Sequence, residues 1–195
     1  MQRLDEAKRS AILKAAQQRL GQYGVRKTTM KEIANDAGVA VGTLYIYFKN
    51  KNEIITAVAE SYSQQHIAQT EQILRSPKPA SEKLKAYLCG RFHAVKDSRQ
   101  SGSHAGELAR AVLSLSPDLQ KAQNIAVKNN VLTILQEGIQ KQVFSICDLE
   151  RTLEVFLYSI GYFFPMPTTE QYYEPEEEKL LLVIDWFIEQ WTPSV

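Results

Sequence analysis

Residues 28–55, TTMKEIANDAGVAVGTLYIYFKNKNEII, decide how the rest of the chain is read. They describe two short helices joined by a glycine turn, with aromatics and lysines gathered at the end of the second. Thr29 followed three residues later by Glu32 is a capping-box pattern, in which the hydroxyl accepts one free backbone N–H and the carboxylate accepts another. It predicts a helix beginning near Met30. Ile33, Ala34 and Ala37 recur at helical spacing, and Gly38 follows the last of them, where a residue with positive φ costs least. The helix is expected to stop there. Val39 is the buried residue of the turn. A second helix over 41–48 sends Leu44 and Phe48 inward and leaves Gly42, Thr43, Tyr45, Ile46 and Tyr47 to share the remaining surface. Two helices at a steep angle, the second placed to lie in a groove, is helix-turn-helix geometry.

Working upstream, residues 5–23 form an amphipathic helix. Ile12, Leu13, Ala16 and Leu20 lie on one face, while Lys8, Arg9, Lys14 and Arg19 occupy the others. That apolar face closes a small core with the two short helices. Residues 1–55 hold ten Lys/Arg against five Asp/Glu, a balance of +5, and residues 56–195 hold thirteen against seventeen, a balance of −4; the two sum to the whole-chain value of +1. A basic module on a mildly acidic body suits duplex DNA, because lysines and arginines displace condensed counterions from phosphate while the acidic part stays off the backbone.

The run GVAVGTLYIYFKNKNEII, residues 38–55, is similar to the DNA-binding signature of the TetR (tetracycline-repressor-like) family of bacterial transcription regulators, whose usual form is close to G-V-S-x-G-x-L-Y-x-Y-F-x-x-K-x-E-L. The likeness extends upstream through the first helix and the GVRKTT connector, about the first third of the chain. Beyond it the chain resembles the family only in length and helical character. The resemblance implies phosphate contacts from Thr28 or Thr29, from Tyr45 and from Lys51, which fix register without reading sequence. Tyr47 and Lys49 are further candidates for phosphate or groove contact. Base reading falls to the exposed front of the second short helix, Val41, Gly42 and Thr43, with Ile46. Two positions depart from the pattern. Ala40 stands where a capping Ser or Thr is common, a loss of about 1 kcal/mol of local stability. Val41 stands where a polar or basic residue is common, and it can only pack on a thymine methyl. A site read partly through DNA shape is the expected consequence.

The plainer readings divide this cluster. Leu44 and Phe48 are better read as core filling. Tyr45 and Tyr47 are better read as solvent-facing, with hydroxyls free for phosphate. Lys49 and Lys51 alone would be an ordinary solvated face; their place beside the helix-turn-helix gives them meaning.

A chain of 195 residues can bury a real core. It has no apolar run of about eighteen residues, and the opening MQRLDEAKRS lacks the apolar stretch of a signal peptide, so a soluble cytoplasmic protein is expected. Cys89 and Cys147 form no metal-ligand or redox motif and are read as reduced, partly buried thiols. Beyond residue 50 the pattern is helical over 52–74, 80–96, 105–115, 117–142, 148–164 and 175–191, with Pro77 and Pro79 ending the first of these. RQSGSH before residue 105 and FPMPTTEQYYEP around 164–175 read as connectors. The expected fold is all-α: a helix-turn-helix domain of three helices over 1–50, then a helical ligand-binding and dimerisation domain over 51–195.

The last two helices have wide apolar faces. Leu149, Leu153, Phe156, Leu157, Ile160, Phe163 and Phe164 line one, and Leu180, Leu181, Val183, Ile184, Phe187, Ile188 and Trp191 the other. Either both are buried on all sides within one chain, or they form an isologous four-helix interface between two copies. The resemblance favours the homodimer, with Leu153, Phe156, Leu157, Ile160, Ile184, Phe187, Ile188 and Trp191 at its interface. Two recognition helices related by a two-fold axis would then read a pseudo-palindrome with half-sites roughly 34 Å, or a multiple, apart.

The resemblance also implies a ligand cavity among the middle helices, with Tyr87, Phe92, Leu108, Val112, Ile125, Leu132, Phe156 and Tyr162 as candidate lining. Each is as easily plain core. Cys89, Arg91, His93, His104 and Glu107 are the polar groups available to orient a ligand. His66, His93 and His104 lack the spacing of a zinc site, and no metal or cofactor is expected. No nucleophile elbow, phosphate-binding glycine loop or paired-carboxylate signal points to an enzyme. The acidic run EPEEEK, residues 174–179, reads as the first turn of the last helix, favoured by the helix dipole. The function expected is a DNA-binding transcriptional regulator, a repressor released from its operator by a small molecule in the helical body. The alternative is a regulator with a solid core, controlled by a protein partner or constitutive.

Overall fold

The computed structural model describes residues 5–100, 104–165 and 174–193. Among these the elements are α1 (Glu6–Lys27), α2 (Met30–Asp36), α3 (Val41–Tyr47), α4 (Lys51–Arg75), α5 (Ala80–Gln100), α6 (Ala105–Leu115), α7 (Pro117–Gln140), α8 (Leu149–Ile160) and α9 (Glu177–Trp191), with a 3₁₀ turn at Gly161–Phe163 continuing α8. The all-α expectation holds, and each expected helix is present with its ends moved by a few residues. The connector before α6 lies partly, and the link at 164–175 mostly, outside the described residues.

Local chemistry sets the ends. Asp5 accepts the N–H groups of Ala7 and Lys8 and starts α1. The capping box at α2 is formed as read: the Thr29 hydroxyl accepts the Glu32 N–H at 3.3 Å, and the Glu32 carboxylate accepts the Thr29 N–H at 2.9 Å. Gly38 takes φ 67°, and the Gly38 and Val39 N–H groups return to Asn35 and Ala34, a Schellman closure that only a left-handed residue permits. Gly24, at φ 82° and ψ 166°, breaks α1 a turn before its end, in a region open to glycine alone.

The helices pack as two compact units, Met1–His66 with Ser98–Leu119, and Ile67–Asp97 with Gln120–Val195. A cut at residue 50 therefore does not follow the packing. The first unit takes in α4 as far as His66, and α6 leaves the expected second domain to join it. The core of the first unit is Ile12, Ala16, Leu20, Ile33, Leu44, Phe48, Ile54 and Val58, and the α6 residues Leu108, Ala111 and Val112 pack against it.

The core of the second unit gathers Leu84 and Leu88 of α5, Val131, Ile134 and Leu135 of α7, and the inner faces of α8 and α9. Phe156 meets Phe187 and Trp191 edge-on, with ring centroids 5.1 and 5.2 Å away. Lys83 is 3 % exposed, and its ammonium donates to Leu74 O at the end of α4 and to both carboxylate oxygens of Glu137 on α7. A buried cation is tolerable here because every donor direction meets an acceptor.

Candidate nucleic-acid interface

α3 is seven residues long and rests on the first unit through Leu44, which is buried, and through Phe48 just beyond its end. Its other side faces outward. Tyr45 is 49 % and Ile46 63 % exposed, and Gly42 and Lys49 are exposed beside them. A methyl group added at Gly42 would meet nothing within 4 Å, so a flat surface could approach the backbone there. Ala40 has the extended backbone of an N-cap, φ −64° and ψ 145°, but no side-chain cap bond forms. The missing cap read from the sequence is thus present as a structural fact.

The remaining candidates separate into contact surface and framework. Thr28 is 1 % exposed, and its hydroxyl donates to Gly24 O at 2.7 Å. The hydroxyl is taken up in fastening the break in α1. Thr29 is exposed, but its hydroxyl caps α2 and donates to Glu32 at 2.8 Å. Lys51 does not present a free ammonium. Its Nζ donates to Val25 O at 2.7 Å and Thr28 O at 3.0 Å, reaching back from the start of α4 to the connector between α1 and α2. Val41 and Tyr47 are half-buried against the core. The Tyr47 hydroxyl accepts the Asp5 N–H at 3.0 Å and keeps its own hydrogen to donate. Of the ten residues expected to touch DNA, Gly42, Tyr45, Ile46 and Lys49 stand clear on the α3 side.

Several supporting residues were not read from the sequence, although the Asn50–Glu53 spacing is itself a capping-box signal. Arg19 lies between α1 and α2, with Glu32 at 3.4 Å and Asp36 at 3.3 Å, and its guanidinium covers the Tyr23 ring. Thr29, through hydrogen bonds, and then Arg19, through charge, hold the Glu32 carboxyl below its usual range. Arg9 lies over the Phe48 ring at 5.6 Å. Asn50 and Glu53 cap the start of α4, with Asn50 Oδ1 accepting the Glu53 N–H and Glu53 accepting the Lys49 N–H. The backbone under Lys49 is therefore fixed while its side chain is exposed.

The expected cavity lining is dispersed. Tyr87, Phe92, Leu132 and Phe156 belong to the core of the second unit, whereas Leu108 and Val112 pack with the first. Ile125 and Tyr162 are about half exposed, at 52 % and 51 %. Apolar spacing marks a helix face as buried but not the core that buries it, which is why α6 was misplaced. The polar candidates divide in the same way. His93 pairs with Glu177 at 2.9 Å, Arg91 stacks over Phe164 at 5.4 Å, and His104 and Glu107 lie with the first unit. Burial, and next the Glu177 carboxylate, push the Cys89 thiol up to about 11, far from a reactive thiolate. Among the described residues, no three metal-ligating side chains are grouped to hold an ion.

The expected dimer residues also point inward. Leu153, Phe156, Ile160, Ile184, Phe187 and Trp191 are buried within one chain, and Leu157 and Ile188 pack against them. The large apolar residues left outside on the same two helices are Val155, Tyr158, Leu182 and Trp186, with Tyr162 in the 3₁₀ turn. Tyr158 is 80 % and Leu182 71 % exposed.

With this geometry in view, residues 12–58 match the model of the bacterial regulatory proteins of the tetR family. The Fatty acid metabolism regulator protein of Bacillus subtilis (strain 168) is 31 % identical over 134 residues, covering 66 % of this chain and 66 % of its own length. The match thus spans just under two thirds of that relative. A transcriptional regulator from Cytophaga hutchinsonii has the same fold, with TM-score 0.70 and 23 % identity over 96 % of this chain and 100 % of its own. The ketosteroid transcriptional regulator KstR2 of Mycobacterium tuberculosis superposes with TM-score 0.59 and 17 % identity over 98 % of each chain. A helix-turn-helix in an all-helical chain defines a transcriptional regulator. The chain belongs to the tetR family of bacterial regulatory proteins.

Proposed function

We propose that this chain is a DNA-binding transcriptional repressor that acts as a homodimer on a pseudo-palindromic operator. The observation that carries the reading is the outward face of α3, where Gly42, Tyr45, Ile46 and Lys49 are exposed above a framework in which Lys51 is hydrogen-bonded to the connector between α1 and α2. Lys49 and the Tyr45 and Tyr47 hydroxyls supply phosphate contacts; Gly42, Thr43 and Ile46 meet base edges, and Ile46 suits a thymine methyl. Selection of bound fragments from genomic DNA, followed by footprinting, tests this. A protected two-fold site is expected, and absence of any sequence-preferring duplex would sink it.

In the same reading, release follows when a small molecule binds the helical body and favours a conformation with lower operator affinity. The name of the Bacillus subtilis relative makes fatty acid metabolism the first regulated process to test. A regulator without such a ligand is the second reading, favoured by the burial of Tyr87, Phe92, Leu132 and Phe156 in a packed core. Calorimetry against a metabolite extract, with operator release as the second readout, separates the two.

A further inference from the structure

We propose that Glu107, on α6, is a positioning residue for DNA reading: its carboxylate holds the connector between α1 and α2 and so sets how α2 and α3 stand on α1. The proposal rests on the DNA reading above. Glu107 Oε1 accepts the Arg26 backbone N–H at 2.9 Å, a contact across eighty-one positions of sequence. The other oxygen, Oε2, lies 3.4 Å from His104 Nδ1. It also occupies the space over Gly24, where a Cβ would sit 2.3 Å from it. Glycine is required at 24 by its φ of 82°, and a Cβ there would also displace the Glu107 carboxylate.

The connector is held from the other side by opposite charge. Lys51 donates to the carbonyls of Val25 and Thr28, and the Thr28 hydroxyl donates to Gly24 O. Cation meets carbonyl and anion meets amide, so each charged side chain takes the backbone group of suitable polarity. The connector feeds directly into Thr29, the cap of α2, and the Schellman turn at Gly38 fixes α3 to α2. Any drift of residues 24–28 therefore moves the reading helix as a rigid piece. Glu107 is the acidic part of this clamp. It belongs to a helix that contributes to the first unit while the chain on both sides of it continues into the second.

The test compares Glu107→Ala, Glu107→Gln and Gly24→Ala in the full-length chain, on a selected operator duplex and on a scrambled duplex of the same composition. Loss of a charge-assisted bond predicts roughly tenfold or greater weakening on the operator for Glu107→Ala, and Gly24→Ala, which strains the same connector directly, should weaken the operator complex as well. Scrambled-duplex affinity should be unchanged, because Lys49 and the Tyr45 hydroxyl remain exposed for phosphate. Glu107→Gln keeps an acceptor for the Arg26 N–H and should bind the operator within about twofold of wild type. Amide exchange at Arg26 should quicken in the alanine variant and stay slow in the glutamine one. Equal loss on both duplexes, or wild-type operator binding by Glu107→Ala despite fast Arg26 exchange, overturns the proposal alone. A wild-type chain that prefers no duplex overturns the DNA reading, and the proposal with it.

Discussion

Lys49 and Lys51 are two positions apart and read alike in the sequence, yet they have different work. Lys49 projects into solvent from a capped backbone, whereas Lys51 is half-buried with two carbonyls on its ammonium. Replacing Lys49 with Ala should weaken binding to all duplexes equally and lower the slope of log affinity against log salt by about 0.9, as a titration at several ionic strengths would show. Lys51→Ala should instead lower thermal stability by about 1–3 kcal/mol and reduce operator affinity more than scrambled-duplex affinity. Glu137 gives a second prediction at this scale. Hydrogen bonds first from Lys141 and then from Lys83 hold its carboxyl below its ordinary value of 4.5. A depressed carboxylate adds stability that is present above its unfolded value and lost as pH falls through the folded one. Unfolding followed from pH 7 down to about pH 3 should show wild type losing stability below its ordinary 4.5, with a shallower decline in Glu137→Gln.

At the scale of elements, α3 starts without a side-chain cap, as α6 and α9 do. Ala40 already has cap geometry, so Ala40→Ser should add about 0.5–1 kcal/mol and raise the melting temperature by roughly 1–4 °C without altering the fold. No gain in melting temperature would mean that α3 is held by the burial of Leu44 and Phe48 alone. α6 teaches a different lesson. Its bounds, 105–115, were read correctly from the apolar pattern, but its partner was not. Leu108 and Val112 satisfy the same spacing whether they line a cavity or seal the first unit, because periodicity encodes which side of a helix is buried and nothing about the opposing surface.

At the scale of the whole molecule, α8 and α9 each carry two apolar faces, and the chain buries one. The buried face, with Phe156, Phe187 and Trp191, is the one to which the sequence assigned the dimer. Val155, Tyr158, Leu182 and Trp186 are exposed on the same helices, and the proposed homodimer would bury them against a second copy. Tyr158→Glu combined with Trp186→Glu should yield a folded monomer by sedimentation, with native helicity and lost operator binding. Phe187→Ala should lower stability by about 3–5 kcal/mol in thermal or denaturant unfolding, as expected of a core aromatic. A double variant that remains dimeric would place the interface elsewhere.

The sequence by itself determined the helix-turn-helix: the Thr29–Glu32 box, the Gly38 turn and the inward Leu44 and Phe48 are local relations, settled within one turn of helix or one tight bend. It also determined the all-α class, since apolar periodicity and proline breaks act over a few residues. Only the tertiary structure decided that Thr28 and Lys51 are framework, that Glu107 reaches the connector, that α6 packs with the first unit and which faces of α8 and α9 stay outside. Those outcomes depend on groups brought together from distant positions, and spacing along the chain carries no record of which burial or charge partner a side chain will meet.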